Sequence, residues 1–198
     1  MIKFLKICKK KPYVFLKEKY NEAIIAGQKN IEAISISSYS QELKQVDSRY
    51  VNLKFITDEE FIFFTNYNSP KALSFQSHNQ IAALLYWPSV NLQIRMKANI
   101  KRTSNQFNQE YFINRSKEKN ALAISSNQSK PIGSFTQIKE KYNKAFKCSD
   151  LNKCPEYWGG FSFTPFEIEF WEGNEYRLNK RNFYKKNNND WDHCILEP

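Results

Sequence analysis

The residues with the most specific chemistry in this sequence are its six arginines, which stand among 24 lysines. A guanidinium group binds a phosphate or a carboxylate through two parallel hydrogen bonds, which an ammonium group cannot do. In a chain that fills most cationic positions with lysine, we expect arginine where this geometry matters. The sequence therefore predicts anion binding, with a structural ion pair as the alternative at any one position, for Arg49, Arg95, Arg102, Arg115, Arg177 and Arg181.

Arg49 and Lys54 lie at the two ends of a short stretch with strand-like alternation. Side chains alternate between the two faces of a strand, so these two cations project from opposite faces. Two cations placed in this way can contact different parts of one anionic ligand. The alternative is an ordinary barrel strand that carries one charge at each end.

A second polar cluster follows the strand-like segment Phe64–Asn66. The chain then turns into a predicted helix, with Ser69 as its N-cap and Pro70 at its first position. The free amides of a helix N-terminus, together with the side chains of Thr65, Ser69 and Lys71, suit a phosphate group. A simple capping turn is the alternative.

Tyr111 and Arg115 are four residues apart, so a helix would place them on one face. The polar segment Ser125–Ser129 follows them. A binding role is one interpretation of this region, and a surface helix with a solvated loop is the other.

The C-terminal part of the chain combines aromatic residues, glycines and arginines. Three of the five glycines fall between positions 159 and 173. Arg177 and Arg181 are predicted to share one face, whether their segment is a strand or a helix. An indole close to two guanidinium groups suits a flat, anionic aromatic ligand. The alternative is an aromatic core strand with arginines on its surface.

Several enzyme classes are excluded because the sequence lacks their motifs and contains few histidines and glycines. The sequence contains neither GxGxxG nor GxxxxGK, which excludes a Rossmann fingerprint and a P-loop. His78 and His193 are the only histidines, so there is no HExxH zinc motif and little basis for a Ser-His-Asp triad. The four cysteines form no CxxC pair, and Cys148 and Cys154 are expected to be reduced rather than joined in a disulfide.

The net charge of +10 is spread along the chain, with one dense cluster at Lys9–Lys11. We interpret it as a solvated basic surface rather than a nucleic-acid interface. Lysines interrupt the apolar runs of the N-terminus, and the longest apolar run, 81–87, is too short to span a bilayer. The sequence predicts a soluble cytoplasmic protein that binds neither nucleic acid nor membranes.

The elements that must position these residues are strands joined by tight turns and interrupted by helices. Helices are predicted over 13–25, with Gly27 as the left-handed residue after the helix, over 70–77, from 104, and over 136–146. Strands are predicted over 31–39, 49–56, 60–66, 80–87, 91–103, 160–163, 166–171 and 177–185, with a last strand ending at Leu196. This order predicts a single domain over 1–198 of mainly antiparallel β structure, a barrel with flanking α-helices.

Taken in order, these segments resemble the pyridoxine/pyridoxamine 5′-phosphate oxidases, flavoenzymes with the FMN-binding split β-barrel fold. The resemblance covers nearly the whole chain and is most specific in WGGF at 158–161, IEFW at 168–171 and RLxxR at 177–181. It implies an FMN-binding split β-barrel. It also implies a homodimer with the flavin between the subunits, in which 155–198 form the dimerisation and substrate-site block.

The resemblance also assigns roles to individual residues. The family's cofactor contacts would fall on Arg49, Lys54, Phe64, Thr65, Lys71, Gln93, Gln128, Ser129, Trp171 and Arg181. Its substrate contacts would fall on Lys54, Tyr111, Arg115, Lys119, Arg177 and Asn179, with Arg177 as the catalytic residue over the substrate ring.

The chain departs from the family pattern at three positions. Lys119 replaces a serine that binds the substrate phosphate, Asn179 replaces a histidine, and Pro70 replaces a cation. Lys119 can still bind phosphate as a point charge, whereas Asn179 can donate a hydrogen bond but cannot become cationic. Only a short lysine-rich stretch precedes the first predicted helix, where the family has a segment that helps to cover the substrate.

The implied activity is an FMN-dependent oxidation of pyridoxamine or pyridoxine 5′-phosphate to pyridoxal 5′-phosphate. A hydride passes from the 4′ carbon to flavin N5, and O₂ reoxidises the flavin to give hydrogen peroxide. Three alternatives remain open: a related FMN-dependent oxidase on another substrate, as in the phenazine pathway; a non-catalytic module that binds FMN or pyridoxal phosphate; and an RNA-binding barrel that uses its basic, aromatic surface.

Overall fold

The computed structural model describes residues 1–198, and its nine strands belong to one connected sheet. The strands are β1 (Lys3–Ile7), β2 (Ala33–Ser40), β3 (Gln45–Asp58), β4 (Glu60–Asn66), β5 (Gln80–Trp87), β6 (Leu92–Arg102), β7 (Trp158–Glu172), β8 (Lys180–Asn187) and β9 (Asp190–Leu196). The helices are α1 (Lys11–Ile25), α2 (Pro70–Ser77), α3 (Asn105–Ile113), α4 (Lys117–Ser125) and α5 (Phe135–Cys148).

Six of the strands close into a barrel. β2 pairs with β3 and β5, β6 pairs with β5 and β7, and β4 completes the ring by pairing with both β3 and β7. All of these pairings are antiparallel, whereas β1 is added to β3 in parallel. β8 and β9 extend the sheet beyond β7. The predicted split β-barrel of mainly antiparallel strands with flanking helices is confirmed.

Closure of the barrel depends on β7, because this strand changes partner along its length. One edge of β7 pairs with β6, and the other edge pairs with β4 over 158–163 and then with β8 over 167–172. The prediction of two separate strands here is wrong. A bulge opposite Lys97 and Ala98 lets the strand continue past Pro165, whose missing amide proton is tolerated at an irregular position.

The core lies inside the barrel and follows from the alternation of side chains along its strands. In β6, Leu92, Ile94 and Met96 are buried and the residues between them are not. Between β4 and β7, Phe61 lies opposite Phe163 and their rings stack with centroids 5.1 Å apart. These cross-strand aromatic contacts stabilise the pairing that closes the barrel.

The N-terminal segment forms a strand that the sequence analysis did not predict. Ile2 is buried in the core, and the ring of Phe4 packs against Tyr20 of α1 at 5.1 Å. The Tyr20 hydroxyl donates a hydrogen bond to the carbonyl oxygen of Ile2 at 3.2 Å. Lysines interrupt the alternation of apolar residues in this segment, so the sequence pattern does not predict a strand here. Contacts with α1 and β3 determine the position of the strand.

Helix α4 was also missed, because its sequence shows little apolar periodicity. The buried side chain of Asn120 holds α4 in place, because its amide donates hydrogen bonds to the carbonyls of Phe112 at 2.8 Å and Leu151 at 2.9 Å.

Gly27 has a φ of 73°, as predicted for the residue that follows α1. All four cysteines are free, and no helix has the length and apolar character needed to cross a bilayer.

Gly159 provides a test of the packing at the start of β7. A Cβ at this position would overlap the hydroxyl of Tyr67 and lie 2.5 Å from Nδ2 of Asn108, two groups that are hydrogen-bonded to each other at 3.0 Å. Gly159→Ala is expected to lower the free energy of unfolding by about 2 kcal/mol, measured by urea denaturation. Gly133→Ala is the control, because its Cβ would meet only the flexible end of Gln137. Equal stability of the two variants would contradict this prediction.

Candidate active site

A cleft of about 500 Å³ lies where β3 and β4 face the segments around α3 and α4. It contains eight of the residues that the sequence analysis assigned to ligand binding: Lys54, Phe64, Thr65, Lys71, Tyr111, Arg115, Lys119 and Gln128. These residues come from five separate parts of the chain. No aspartate or glutamate lines the cleft.

One wall of the cleft is a stack of aromatic rings. Phe64 of β4 stacks on Tyr111 of α3 with centroids 3.8 Å apart, and on Trp158 of β7 at 5.3 Å. The guanidinium of Arg115 lies over the Trp158 ring, 4.5 Å from its centroid. Arg115 follows the end of α3 instead of lying within it, yet it lines the same cleft as Tyr111. The wall therefore offers a flat apolar surface with a cation at its edge.

Lys71 is buried, with 8% of its surface exposed, and its ammonium group has no carboxylate partner. Its two hydrogen-bond partners, both at 3.4 Å, are the hydroxyls of Thr65 and Ser69. Burial is the main cause that lowers the pKa of Lys71, and the nearby charge of Arg49 lowers it further, while the charge of Asp47 acts in the opposite direction. A buried cation without an acid is destabilising until an anion binds beside it.

The polar groups around Lys71 are hydrogen-bonded to one another. Gln128 reaches this position from the loop after α4, where its side-chain oxygen accepts hydrogen bonds from the Thr65 hydroxyl at 3.2 Å and the Asn66 amide at 3.3 Å. Ser69 is the N-cap residue of α2 and Pro70 follows it, as predicted, but the Ser69 hydroxyl donates to the carbonyl of Asn66 at 2.7 Å and does not cap a backbone amide of the helix. The buried ammonium group of Lys71, with these polar groups beside it, therefore fits a phosphate such as that of FMN.

A second group of cations is formed by Lys54, Arg115 and Lys119. Burial lowers the pKa of Lys54 most strongly, and the charges of Lys119 and Arg115 lower it further, while Glu32 acts in the opposite direction. Arg115 donates a hydrogen bond to the side-chain oxygen of Asn120 at 3.0 Å, and burial lowers its pKa also. The cleft thus brings together two groups of cations, each suited to an anionic group.

Arg49 does not line the cleft, although it affects Lys71 through its charge. Its guanidinium donates to the hydroxyl of Ser38 at 2.8 Å and to the carbonyl of Ile36 at 3.2 Å, and it forms an ion pair with Asp47. Ser129 also lies outside the cleft and lines a small separate pocket next to it.

Gln93, Trp171 and Arg181 form a row across β6, β7 and β8, away from the cleft. Gln93 lies opposite Trp171, and Trp171 lies opposite Arg181. Arg181 donates to one carboxylate oxygen of Glu169 at 2.8 Å, and Arg95 donates to the other at 3.0 Å. Arg95 and Glu169 line a separate groove of about 300 Å³, so this row belongs to a different face of the molecule.

Arg177 and Asn179 lie in the loop between β7 and β8, and the predicted shared face of Arg177 and Arg181 is wrong. Arg177 has a left-handed backbone with φ of 59°, and its amide donates to the carbonyl of Asn174 at 3.1 Å. The side-chain oxygen of Asn179 accepts a hydrogen bond from the Asn174 amide at 3.1 Å. Asn179 therefore holds the loop that presents the exposed Arg177.

Among the cleft-lining residues that were not assigned to the site from the sequence, Trp158 and Lys3 bear most directly on its chemistry. Trp158 supplies part of the aromatic wall, and its place in the WGGF motif was the signal that could have identified it. Lys3 lines the cleft from β1. No signal pointed to Lys3, because β1 itself was not predicted.

Comparison with solved structures places this fold among known ones. A crystal structure of PhzG from Burkholderia lata superposes with a TM-score of 0.89 at 23% identity, over 95% of this chain and 93% of the other. An FMN-binding protein from Nostoc punctiforme, related to pyridoxamine 5′-phosphate oxidase, superposes with a TM-score of 0.78 at 15% identity, over 96% of this chain and 99% of the other. These similarities establish the fold.

Sequence comparison extends the similarity beyond the fold. Residues 158–198 match the model of the pyridoxine 5′-phosphate oxidase C-terminal dimerisation region. The pyridoxine/pyridoxamine 5′-phosphate oxidase of Coxiella burnetii is 34% identical over 180 residues, which cover 90% of this chain and 91% of that protein. Oxidase 1 of Hydrogenovibrio crunogenus is 33% identical over 180 residues, covering 89% and 83%. With identity of this level along nearly its whole length, the chain belongs to the pyridoxine/pyridoxamine 5′-phosphate oxidase family of oxidoreductases.

Proposed function

We propose that this protein is an FMN-dependent oxidase that converts pyridoxamine or pyridoxine 5′-phosphate to pyridoxal 5′-phosphate with O₂ as the electron acceptor. The observation that carries the proposal is the cleft, where two groups of cations without acidic partners lie beside one aromatic wall. The cofactor and the substrate each carry a phosphate on a flat ring. The two phosphates match the two groups of cations, and the two flat rings match the aromatic wall of the cleft.

The FMN phosphate is assigned to the position of Lys71. Thr65, Gln128 and Ser129 would supply further polar groups, and Arg49 would add its charge from the neighbouring strand. Lys71 is the strongest support for this assignment, because a bound phosphate supplies the negative charge that its buried ammonium group lacks.

The substrate phosphate is assigned to Lys54, Arg115 and Lys119, with Tyr111 beside them. Burial raises the pKa of the Tyr111 hydroxyl, so this group stays protonated at neutral pH and can donate a hydrogen bond to the phosphate. Phe64, which stacks on Tyr111, is assigned to the cofactor ring. Lys119 takes the place of a serine in the family pattern and acts here as a point charge.

The remaining assigned residues would come from the second subunit of a homodimer. Trp158 lies in the cleft and Trp171 lies thirteen residues further along the same strand. This separation corresponds to roughly 40 Å of extended chain, which is too far for one small ligand to bridge within a subunit. The row of Gln93, Trp171 and Arg181 therefore completes the cleft of the partner, and 155–198 act as the dimerisation and substrate-site block of a single domain over 1–198.

When bound, FMN would supply the redox chemistry, a two-electron oxidation at the 4′ carbon with O₂ as the final acceptor of two electrons and two protons and hydrogen peroxide as its product. The chain's own residues hold and orient the substrate. Arg115 and Lys54 fix the phosphate, and Arg177 contacts the substrate ring and stabilises charge as the bond breaks. The aromatic wall excludes water from one side of the cleft.

A related flavin-dependent oxidation of another anionic aromatic substrate is the second candidate. Asn179 favours it, because an amide cannot carry the positive charge of the histidine that the family pattern has here. In addition, the side-chain oxygen of Asn179 already accepts a hydrogen bond from the backbone amide of Asn174. The difference between the two candidates lies in the substrate and leaves the cofactor site unchanged.

The proposed reaction is tested by an anaerobic titration of FMN-loaded protein with pyridoxine and pyridoxamine 5′-phosphate. The visible absorbance of the flavin is expected to bleach and to return when air is admitted, with pyridoxal 5′-phosphate as the product. Arg115→Gln should raise KM about tenfold with little change in kcat, since it removes a contact to the non-reacting phosphate. A bound flavin that neither substrate bleaches would overturn the proposal in favour of another substrate.

Lys71→Met is expected to weaken FMN binding at least tenfold and yet to stabilise the protein without FMN by about 1 kcal/mol. The stabilisation arises because burial of the charged ammonium group is unfavourable, which is also why the pKa of Lys71 is lowered. This penalty is lost as the pH rises through the folded-state pKa, so the difference should narrow toward pH 10. FMN titration and thermal unfolding measure both effects, and Lys144→Met on the exposed face of α5 is the control. Unchanged FMN affinity would remove Lys71 from the site.

Arg177→Ala is expected to lower kcat about 100-fold while the FMN dissociation constant stays unchanged. Asn179→Ala should lower kcat about 3- to 10-fold, because it removes the hydrogen bond that holds the loop around Arg177. Glu175→Gln in the same exposed loop is the control. Stopped-flow reduction of the flavin by the substrate gives the rates, and loss of FMN with intact turnover would contradict the role of Arg177.

A further inference from the structure

Strand β1 places a cation at the cleft that the assigned phosphate-binding residues do not include. Ile2 is buried and Phe4 packs on Tyr20, so the residue between them, Lys3, points to the opposite side of the strand. Lys3 pairs in register with Phe55 of β3 and lines the cleft. The hydrogen bond from Tyr20 to the carbonyl of Ile2 fixes the backbone at this point.

Lys3 differs in its surroundings from the next lysine of the same strand. Lys6 forms an ion pair with Asp58 at 3.7 Å and does not line the cleft. Lys3 shares the cleft with Lys54, Arg115 and Lys119, and no acidic residue lines it. Glu32, which acts on Lys54 through its charge, is itself engaged by the amino group of Met1 at 3.1 Å.

Four cations from β1, β3, the α3–α4 connection and α4 therefore line the same cleft. Like charges repel, so this arrangement is unfavourable in the absence of a ligand and favourable around a multiply charged anion. A phosphate monoester carries a charge between −1.5 and −2 near pH 7 and offers three acceptor oxygens. That charge density suits several cations at once.

We propose that Lys3 is a fourth binding residue for the phosphate of the substrate, alongside Lys54, Arg115 and Lys119. The inference rests on the proposed function for the identity of the substrate. Lys3 thereby gives β1 a role in specificity, since it favours dianionic phosphate esters over uncharged analogues of the same ring. Because its side chain is exposed, its effect is electrostatic and decreases with salt.

The test measures binding instead of turnover. The ligand is 4-deoxypyridoxine 5′-phosphate, which lacks the oxidisable 4′ group and the aldehyde that would react with lysines. Its dissociation constant is measured by isothermal titration calorimetry with FMN-loaded wild type, Lys3→Gln, Lys3→Arg and Lys6→Gln. Unphosphorylated 4-deoxypyridoxine is titrated in parallel.

Lys3→Gln is expected to weaken binding of the phosphorylated ligand about 3- to 10-fold at 50 mM salt, and less at 300 mM. Lys3→Arg should restore it, and Lys6→Gln should match the wild type. Binding of the unphosphorylated ligand should be equal in all four proteins. Equal binding by Lys3→Gln and Lys6→Gln would overturn the inference, as would an equal loss for both ligands.

The proposed function and the Lys3 inference can fail separately. If the wild type binds the phosphorylated ligand in a Lys3-dependent way but oxidises neither substrate, then the proposed reaction is wrong and the role of Lys3 stands. If pyridoxine 5′-phosphate is oxidised and Lys3→Gln binds normally, then only the role of Lys3 is wrong. If the wild type neither binds nor oxidises, both are wrong.

Discussion

The pairing of β7 with β4 is the interaction on which the rest of the structure depends. It closes the barrel through stacked rings such as Phe61 and Phe163, and it occupies only the first part of β7. The remainder of β7 is free to pair with β8. One strand therefore begins in the cleft with Trp158 and ends in the outer row with Trp171. The same pairing that builds the core also separates the two groups of site residues.

The arginines show how one residue type divides between structure and ligand binding. Arg49 is paired with Asp47, and both Arg95 and Arg181 are bonded to Glu169, so the alternative of a structural ion pair applies to these within one subunit. Arg115 has no acidic partner and lines the cleft. The choice of arginine over lysine therefore does not by itself identify a ligand site in this chain, because three of the six arginines form ion pairs with carboxylates.

Much of the fold could be predicted, because strands such as β6 alternate strictly and the turns between them are short. The cleft residues were identified through a resemblance that matched motifs in order. β1 and α4 were missed, since Ile2, Phe4 and Asn120 act through contacts that no local pattern reveals. The prediction that Arg177 lies on a strand was wrong for a similar reason. The Arg177 amide donates a hydrogen bond to the carbonyl of Asn174, and Arg177 has a left-handed backbone in a turn where the sequence pattern suggested a strand.

If Lys71 binds the FMN phosphate as proposed, its buried charge would link the abundance of the protein to its cofactor supply. A ligand that binds only the folded state adds stability that grows with the logarithm of its concentration. With this ammonium group buried and no anion bound, the unliganded chain would sample unfolded forms more often and would be degraded faster. In a cell short of FMN, fewer molecules of this protein would carry the cofactor, and the total amount of the protein would also fall. Scarcity of the cofactor would therefore lower the activity in two ways.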